Sequence, residues 1–369
     1  MTRPVLLWDA GAGEIRAGVI EAGSLTEFRL VRLRRREEAL IAAGERYTAR
    51  IVQKLGQGAA LVSLGGEAEA VLDPCPPGPE GRLIAVEMIR PPIPEPGRWK
   101  RAKVRVLPDG TAATQACWHP SHEPWEAFLL RAAQTVSEII CPTFQAAKDV
   151  EGVVGDTAPV RVDAAAIDDA DFDALIDRAT VGEWPIDDGM LTLERTRALM
   201  MIDVDGIGDP LTLNLAAARA IPPLLRLLDI GGSVGIDFVS MRTKADRAAV
   251  DAALSKACSG LGLIERTAVN GFGFAQIIRP RPRLSVPEIL CGTVRCRPSL
   301  ESRAIALLRA AQRSVGFGAR QIVAPPAMID LIRQWPEEVA ALHHQLGVAV
   351  ELVSDTATTG YGHIHVIQS

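Results

Sequence analysis

Two runs decide how this chain is read: ALMMIDVDG at residues 198–206 and SVGIDFVSM at residues 233–241. In each, an apolar stretch of strand length runs into acid, Asp203 and then Asp205 in the first, Asp237 in the second. A lone ionised carboxylate is expensive to remove from water. An acid closing an apolar strand therefore implies a partner: a cation, a turn to cap, or a helix N-terminus. Two such strands side by side bring carboxylates within reach of one Mg²⁺, which takes a few oxygen ligands and keeps several waters. From the residues alone, turn capping and pairing with arginine remain the competing explanation.

Outward from this pair the periodicity is that of an α/β chain. NLAAARAIPPLLRLLDIGG (214–232) reads as a helix kinked or offset at Pro222 and Pro223. KADRAAVDAALSKACSGLG (244–262) is a cleaner helix, and LIERTAV (263–269) and GFAQIIRP (273–280) are strands. Upstream, VLLWDAG, EIRAGVIEAG and LTEFRLVRL predict three opening antiparallel strands. Between about 44 and 107, five short strands punctuated by Gly and Pro fit a small OB-like barrel. Residues from about 122 to 148 read as a helix interrupted by Pro142, and DDADFDALIDRA (168–179) as a short helix whose aspartates cap its first turn. Past a loop at 292–298, the last 70 residues read helix, strand–helix, helix–strand.

Composition narrows the class. Net charge is −5, so a dominant basic surface is excluded while local basic grooves are not. Positive charge does cluster: Arg32, Arg34, Arg35, Arg36, Arg46, Arg50 and Lys54; then Arg98, Lys100, Arg101, Lys103 and Arg105; then Arg279, Arg281, Arg283, Arg295 and Arg297. Each run taken alone also suits an ordinary solvated face. Aromatics are only 4% of the chain, which counts mildly against a single-strand binder built on stacking platforms. Six scattered cysteines, no signal-peptide pattern and no run of about 18 apolar residues point to a reduced, cytoplasmic protein that does not span a membrane.

The stretch from Gly189 to Pro282 resembles the catalytic region of the ribonuclease E/G family. GMLTLERTRALMMIDVDG is similar to the family's glycine, hydrophobic strand, threonine and metal-binding aspartate. NLAAARAIPPLLRLLDIGGSVGIDFVSM is similar to its Asn-Leu … Arg-Leu-x-Asp-Leu-Gly-Gly … Ile-Asp-Phe-x-x-Met run, and FGFAQIIRPR to the Phe-Gly-Leu strand that follows. The resemblance implies Asp203 and Asp237 as the magnesium ligands. It places Asp205 where the family has an asparagine that orients the scissile phosphate, the 228–232 turn as the lead into the Asp237 strand, and Asn214 as the start of the intervening helix. It also implies an RNase H-like domain with an inserted S1 (OB-type) barrel and a small C-terminal α/β domain. The expected division is 1–40 and 111–285 for the RNase H-like domain, 41–110 for S1, 286–299 for a link and 300–369 for the small domain. Lys100 falls where the family's lysine approaches the cut site. Cys291 and Cys296 fall on its zinc link, and a homodimer is implied.

Four departures matter. Leu61 and Val71 stand where the family reads bases with phenylalanines, a loss of about 1–3 kcal/mol per stacked base; Tyr47 and Trp99 are the candidates to compensate. No 5′-monophosphate-sensing arginine–threonine pocket is evident before Gly189. Gly206, Ile207 and Gly208 replace polar and basic residues after the first acid. The link reads CGTVRC, so Cys291 and Cys296 are either half a zinc site, completed by a second subunit, or two unconnected thiols.

The expected activity is Mg²⁺-dependent endoribonucleolytic hydrolysis of single-stranded or structured RNA. Asp203, Asp205, Asp237 and Lys100 form the expected catalytic set, and Arg46, Arg50, Lys54, Arg98, Arg101 and Lys103 line the expected RNA channel. The alternatives are a non-catalytic RNA-binding protein of the same fold and a structural protein using the acids only for turns.

Overall fold

The computed structural model describes residues 3–33, 43–66, 68–108, 117–119 and 124–367; Arg34, Arg35 and Arg36 of the first basic cluster lie outside the described residues. The chain is mixed α/β, with strands in three principal sheets and two smaller ones.

The first sheet begins as the expected antiparallel meander, Val5–Gly11, Glu14–Glu21 and Ser24–Arg32. Two parallel strands from far along the chain extend it: Glu138–Cys141 pairs with Val5–Gly11, and Val160–Val162 pairs with Glu138–Cys141. This corrects the single helix expected over 122–148. Helix Pro124–Ala133 stops, Glu138–Cys141 becomes a strand, and helix Phe144–Val154 begins after Pro142. Thr143 caps the new helix, accepting from Ala146 N at 3.2 Å. The short run EIIC supplies Ile139, Ile140 and Cys141 to the buried interior, and that tertiary burial outweighs its helical surroundings.

Residues 46–106 close into a five-stranded barrel: Arg46–Lys54, Ala60–Gly65, Ala68–Leu72, Ala102–Val106, Leu83–Arg90 and back to Arg46–Lys54. Its interior is filled by alternate residues, among them Ala60, Val62, Leu64, Ala102 and Val104. This is consistent with an S1/OB-type unit. Tyr47 is part of that interior at 4% exposure, so it does not replace the missing surface phenylalanines. A two-stranded hairpin, Ile93–Glu95 with Arg98–Lys100, leaves the barrel. Arg195 donates to Pro94 O (3.3 Å), Gly292 O (3.0 Å) and Val294 O (2.7 Å), holding hairpin, strand end and loop together.

The third principal sheet runs Glu183–Ile186, Gly189–Arg195, Met200–Gly206, Gly232–Asp237, Phe274–Arg279, Glu265–Arg266. Alternation assigns its two faces. Leu191, Leu193, Ile202, Val204, Val234, Ile236, Ala275 and Ile277 are buried in one core with Ala217, Ile221 and Leu225 of helix Pro210–Leu227 and Val250 and Leu254 of helix Lys244–Cys258. The residues between them point to the other face. Pro222 and Pro223 sit inside helix Pro210–Leu227, which continues through both. An interior proline costs about 3 kcal/mol, whereas burying Ile221, Leu224 and Leu225 returns about 1.5–3 kcal/mol each.

The turn into the Asp237 strand is fixed by shape and charge. Asp229 takes a left-handed conformation (φ 52°), and its buried carboxylate meets Arg29 at 2.8 Å and Arg283 at 2.5 Å. An added Cβ at Gly231 would stand 2.6 Å from Pro280 O. We expect Gly231→Ala to displace this turn and lower stability by about 1–3 kcal/mol. A chemical-denaturation midpoint unchanged from the native protein would contradict that expectation.

In the C-terminal part, helix Leu300–Arg313, strand Ala319–Ala324, helices Pro326–Arg333 and Pro336–Leu346 and strand Val350–Ser354 follow the expected order. A further strand, His363–Ile367, pairs antiparallel with Ala319–Ala324.

Candidate active site

Asp203 and Asp237 are register partners across two parallel strands, Met200–Gly206 and Gly232–Asp237. Side chains at register positions share a face, and Asp205, two residues on, lies on that face too. All three are exposed and stand at the carboxyl end of the parallel pair, on the side of the sheet away from the helices. The row through the acids reads Thr192, Asp203, Asp237, Phe274 across four strands. Partial burial, together with the neighbouring carboxyls of Asp205 and Asp237, raises the Asp203 pKa above the usual carboxylate value. Among the described residues no ion pair engages Asp203, Asp205 or Asp237, which disposes of the arginine-pairing explanation for them.

The loop after Asp237 is tied down by Asn214. This residue does not start its helix as expected; Asp209 caps that helix, accepting from Thr212 N at 2.9 Å. Asn214 is fully buried, donates Nδ2–H to Val239 O (2.7 Å) and accepts from Val239 N (3.0 Å). A buried amide with both ends satisfied fixes the chain two residues past Asp237. The resemblance singles out Asn214, but for the start of the helix and not for this tie.

The donor chemistry suits a hard cation: carboxylate oxygens on one face with solvent access. Among the described residues no group of three or more His, Cys, Asp and Glu forms a metal cage. A cation held there would take most of its shell from water or substrate. Asp205→Asn removes one of three crowded negative charges. We expect the melting temperature of the metal-free protein to rise by about 1 °C, within the few tenths of a kcal/mol typical of exposed charges; a fall on calorimetry would count against the crowding.

Lys100 is placed elsewhere. It lines a cavity of about 60 Å³ beside Glu95, Arg195, Arg197, Arg281, Met200 and Ser233, and its Nζ lies 3.5 Å from Glu95. Met200 and Ser233 precede Asp203 and Asp237 by three and four residues, about 10–13 Å along the strands. Arg281 in this cavity contacts Glu288, and burial plus the charges of Arg90 and Arg195 lower its pKa to about 10.

Of the cations on the barrel and its hairpin, Arg98 and Arg101 are exposed and Lys103 half-buried, and each is paired: Arg98 with Glu95 (2.8 Å), Arg101 with Glu69 (3.2 Å), Lys103 with Asp73 (2.9 Å). Arg50 donates to Gly81 O at 3.2 Å, while Arg46 and Lys54 are exposed at the two ends of one strand. Leu61 and Val71 face each other across two barrel strands, half-buried on its outer surface.

The two cysteines of the link differ in exposure. Cys291 is buried, donates to Thr180 O at 3.6 Å, and burial raises its thiol pKa, opposing the thiolate that zinc binds. Cys296 is exposed. Among the described residues no helix is long and apolar enough to cross a membrane.

Residues 129–281 match the Ribonuclease E/G family. A chloroplastic Ribonuclease E/G-like protein of Arabidopsis thaliana is 33% identical over 120 residues, 29% of this chain and 12% of that protein. Ribonuclease G of Escherichia coli K12 is 31% identical over 115 residues, and that of Haemophilus influenzae 33% over 116; each alignment covers 28% of this chain and 23% of the relative. The aligned stretch is thus less than a quarter of each of these relatives.

Proposed function

We propose, from the match of residues 129–281 to the ribonuclease E/G family and from the acids that this segment displays, that the chain is an endoribonuclease that hydrolyses single-stranded RNA with the aid of Mg²⁺. The observation that carries this reading is the register pairing of Asp203 with Asp237 on an open sheet face, with Asp205 beside them and no cation from the protein among the described residues. Asp203 and Asp237 would hold the metal. When bound, Mg²⁺ would supply positive charge to the phosphate and a more acidic water.

The protein's own residues do the positioning. The two strands fix the carboxylates by main-chain pairing. Asn214 holds the segment after Asp237, and the 229–232 turn aims the strand that carries it. Asp205, with a carboxylate where the family has an amide, accepts hydrogen bonds but cannot donate to a phosphate while ionised. The reading includes an RNase H-like domain completed around the inserted barrel, with the boundaries expected from the sequence. Lys100, Arg46, Arg50, Lys54, Arg98, Arg101 and Lys103 would contribute backbone contacts, with Lys100 acting about 10–13 Å up the strands from the acids.

The test is incubation of the full chain with a 5′-labelled single-stranded RNA, with Mg²⁺ and with EDTA. Internal cuts that need Mg²⁺ and leave a 5′-phosphate on the downstream product are expected. Intact RNA that remains bound in a salt-sensitive way would instead identify a non-catalytic RNA-binding protein.

A further inference from the structure

We propose that Phe272 and Phe274 form a base-stacking platform beside the carboxylates, so that the open sheet face, rather than the barrel, holds the nucleobase next to the scissile phosphate. This rests on the ribonuclease reading above.

Phe274 is the direct cross-strand neighbour of Asp237. Opposed side chains share a face, with Cβ atoms about 4.5–5.5 Å apart. Gly235 makes room for its ring: an added Cβ there would lie 2.8 Å from Phe274 Cζ and 3.1 Å from Met201 Sδ. The ring therefore reaches over the sheet toward Met201, alongside the acids. The family strand reads Phe-Gly-Leu where this chain has Phe272, Gly273 and Phe274, so the second aromatic departs from that pattern.

Phe272 is 89% exposed, on a turn whose main chain is hydrogen-bonded. The main-chain N–H groups of Phe272 and Phe274 both donate to Asn270 Oδ1, at 2.8 and 3.1 Å, and Phe238 N donates to Gly273 O at 3.1 Å. That last bond fastens the turn to the residue after Asp237. An aromatic ring presented to water on a fixed turn beside a cation-binding row is matched to a flat apolar surface carried next to a phosphate, which describes a nucleotide.

The barrel offers the complementary absence. Leu61 and Val71 oppose each other where aromatics would stack, and Arg98, Arg101 and Lys103 are already paired with acids. Stacking on Phe272 and Phe274 supplies affinity without added positive charge, in keeping with a net charge of −5.

The experiment is fluorescence anisotropy of a labelled single-stranded RNA with the full chain, Ca²⁺ replacing Mg²⁺ so that binding is read without cleavage. Phe272→Ala and Phe274→Leu should each weaken binding about 5- to 100-fold. Phe272→Trp and Phe274→Tyr should bind nearly as the native chain does. Phe274→Leu keeps most of the apolar volume, so a folding defect is avoided, and unchanged thermal melts verify this. An abasic nucleotide scanned along the RNA should weaken the native protein at one or two positions and leave Phe272→Ala unaffected there. Native-like affinity of both variants, or equal abasic penalties in variant and native protein, overturns the platform while leaving the ribonuclease reading intact. A native protein with no salt-sensitive RNA binding overturns both.

Discussion

Asp203→Asn and Asp237→Asn are each expected to reduce Mg²⁺-dependent RNA cleavage by about a hundredfold or more, without loss of fold. The amide has the carboxylate's shape, so the strand pairing that sets Asp203 opposite Asp237 is undisturbed. What changes is charge and ligand strength. Metal stabilisation of a transition state is worth several kcal/mol, and each 1.4 kcal/mol is a factor of ten in rate. Losing one of two anionic ligands therefore removes at least two decades. Asp203 shares its surroundings with the Asp205 and Asp237 carboxyls, so Asp203→Asn, like Asp205→Asn, should leave the metal-free protein at least as stable as the native one. Cleavage within threefold of native for either variant, at saturating Mg²⁺ and matched RNA, would remove these residues from the metal site.

The largest stability effect is expected far from that site. Glu14 is 2% exposed, in the strand Glu14–Glu21. Its carboxylate accepts from Arg16 Nε at 2.7 Å, contacts the Arg32 guanidinium and lies 3.6 Å from Arg309 Nε. Arg309, in helix Leu300–Arg313, also pairs with Asp9, and Arg32 donates to Ser302 Oγ at 2.8 Å in the same helix. This network docks helix Leu300–Arg313 on the first sheet. Removing one partner of a buried ion pair costs about 3–5 kcal/mol because it strands the others, so Glu14→Ala should lower stability by that amount. Burial alone would raise the Glu14 pKa, but Arg32, Arg16 and Arg309 outweigh it and hold the value below the ordinary 4.5. A depressed carboxylate stabilises the fold above its unfolded pKa and ceases to do so as pH falls through the folded value. The native protein should therefore lose stability below about pH 4.5, and Glu14→Gln should flatten that part of the profile. A Glu14→Ala variant within about 1 kcal/mol of native, well below the cost of breaking a buried pair, would show that the network contributes little to docking the helix.

What could be read from the sequence follows from how local each signal is. Apolar runs of strand length ending in acid marked the Met200–Gly206 and Gly232–Asp237 strands, and short strands punctuated by Gly and Pro marked the barrel, because those patterns lie within single segments. The strand Glu138–Cys141 was hidden because it is four residues long and stands between helices; its partner, Val5–Gly11, lies more than a hundred residues away. Lys100 was expected at the acids, but a hairpin that leaves the barrel carries it to the other end of the strands. The burial of Tyr47 depended on the phase of its strand within a closed barrel, where neighbouring positions face opposite sides. Asn214 gave no composition signal, since its role lies in two hydrogen bonds to a residue 25 positions on.

The charge network around Glu14 also bears on the order in which the chain folds as it is made. The first three strands can pair once about thirty residues have emerged, and the barrel can close when residue 106 is out. The first sheet must then wait for Glu138–Cys141, and the Glu14 cluster waits for Arg309, 295 positions later. At about 5–20 residues per second, that interval is roughly 15–60 s, during which Glu14 has Arg16 and Arg32 but not its third guanidinium. Until helix Leu300–Arg313 arrives, one end of the three paired strands presents strongly polar groups next to apolar ones. That keeps it hydrated and slow to associate with other chains, and it makes docking of the helix the step that commits the N-terminal strands to their buried state.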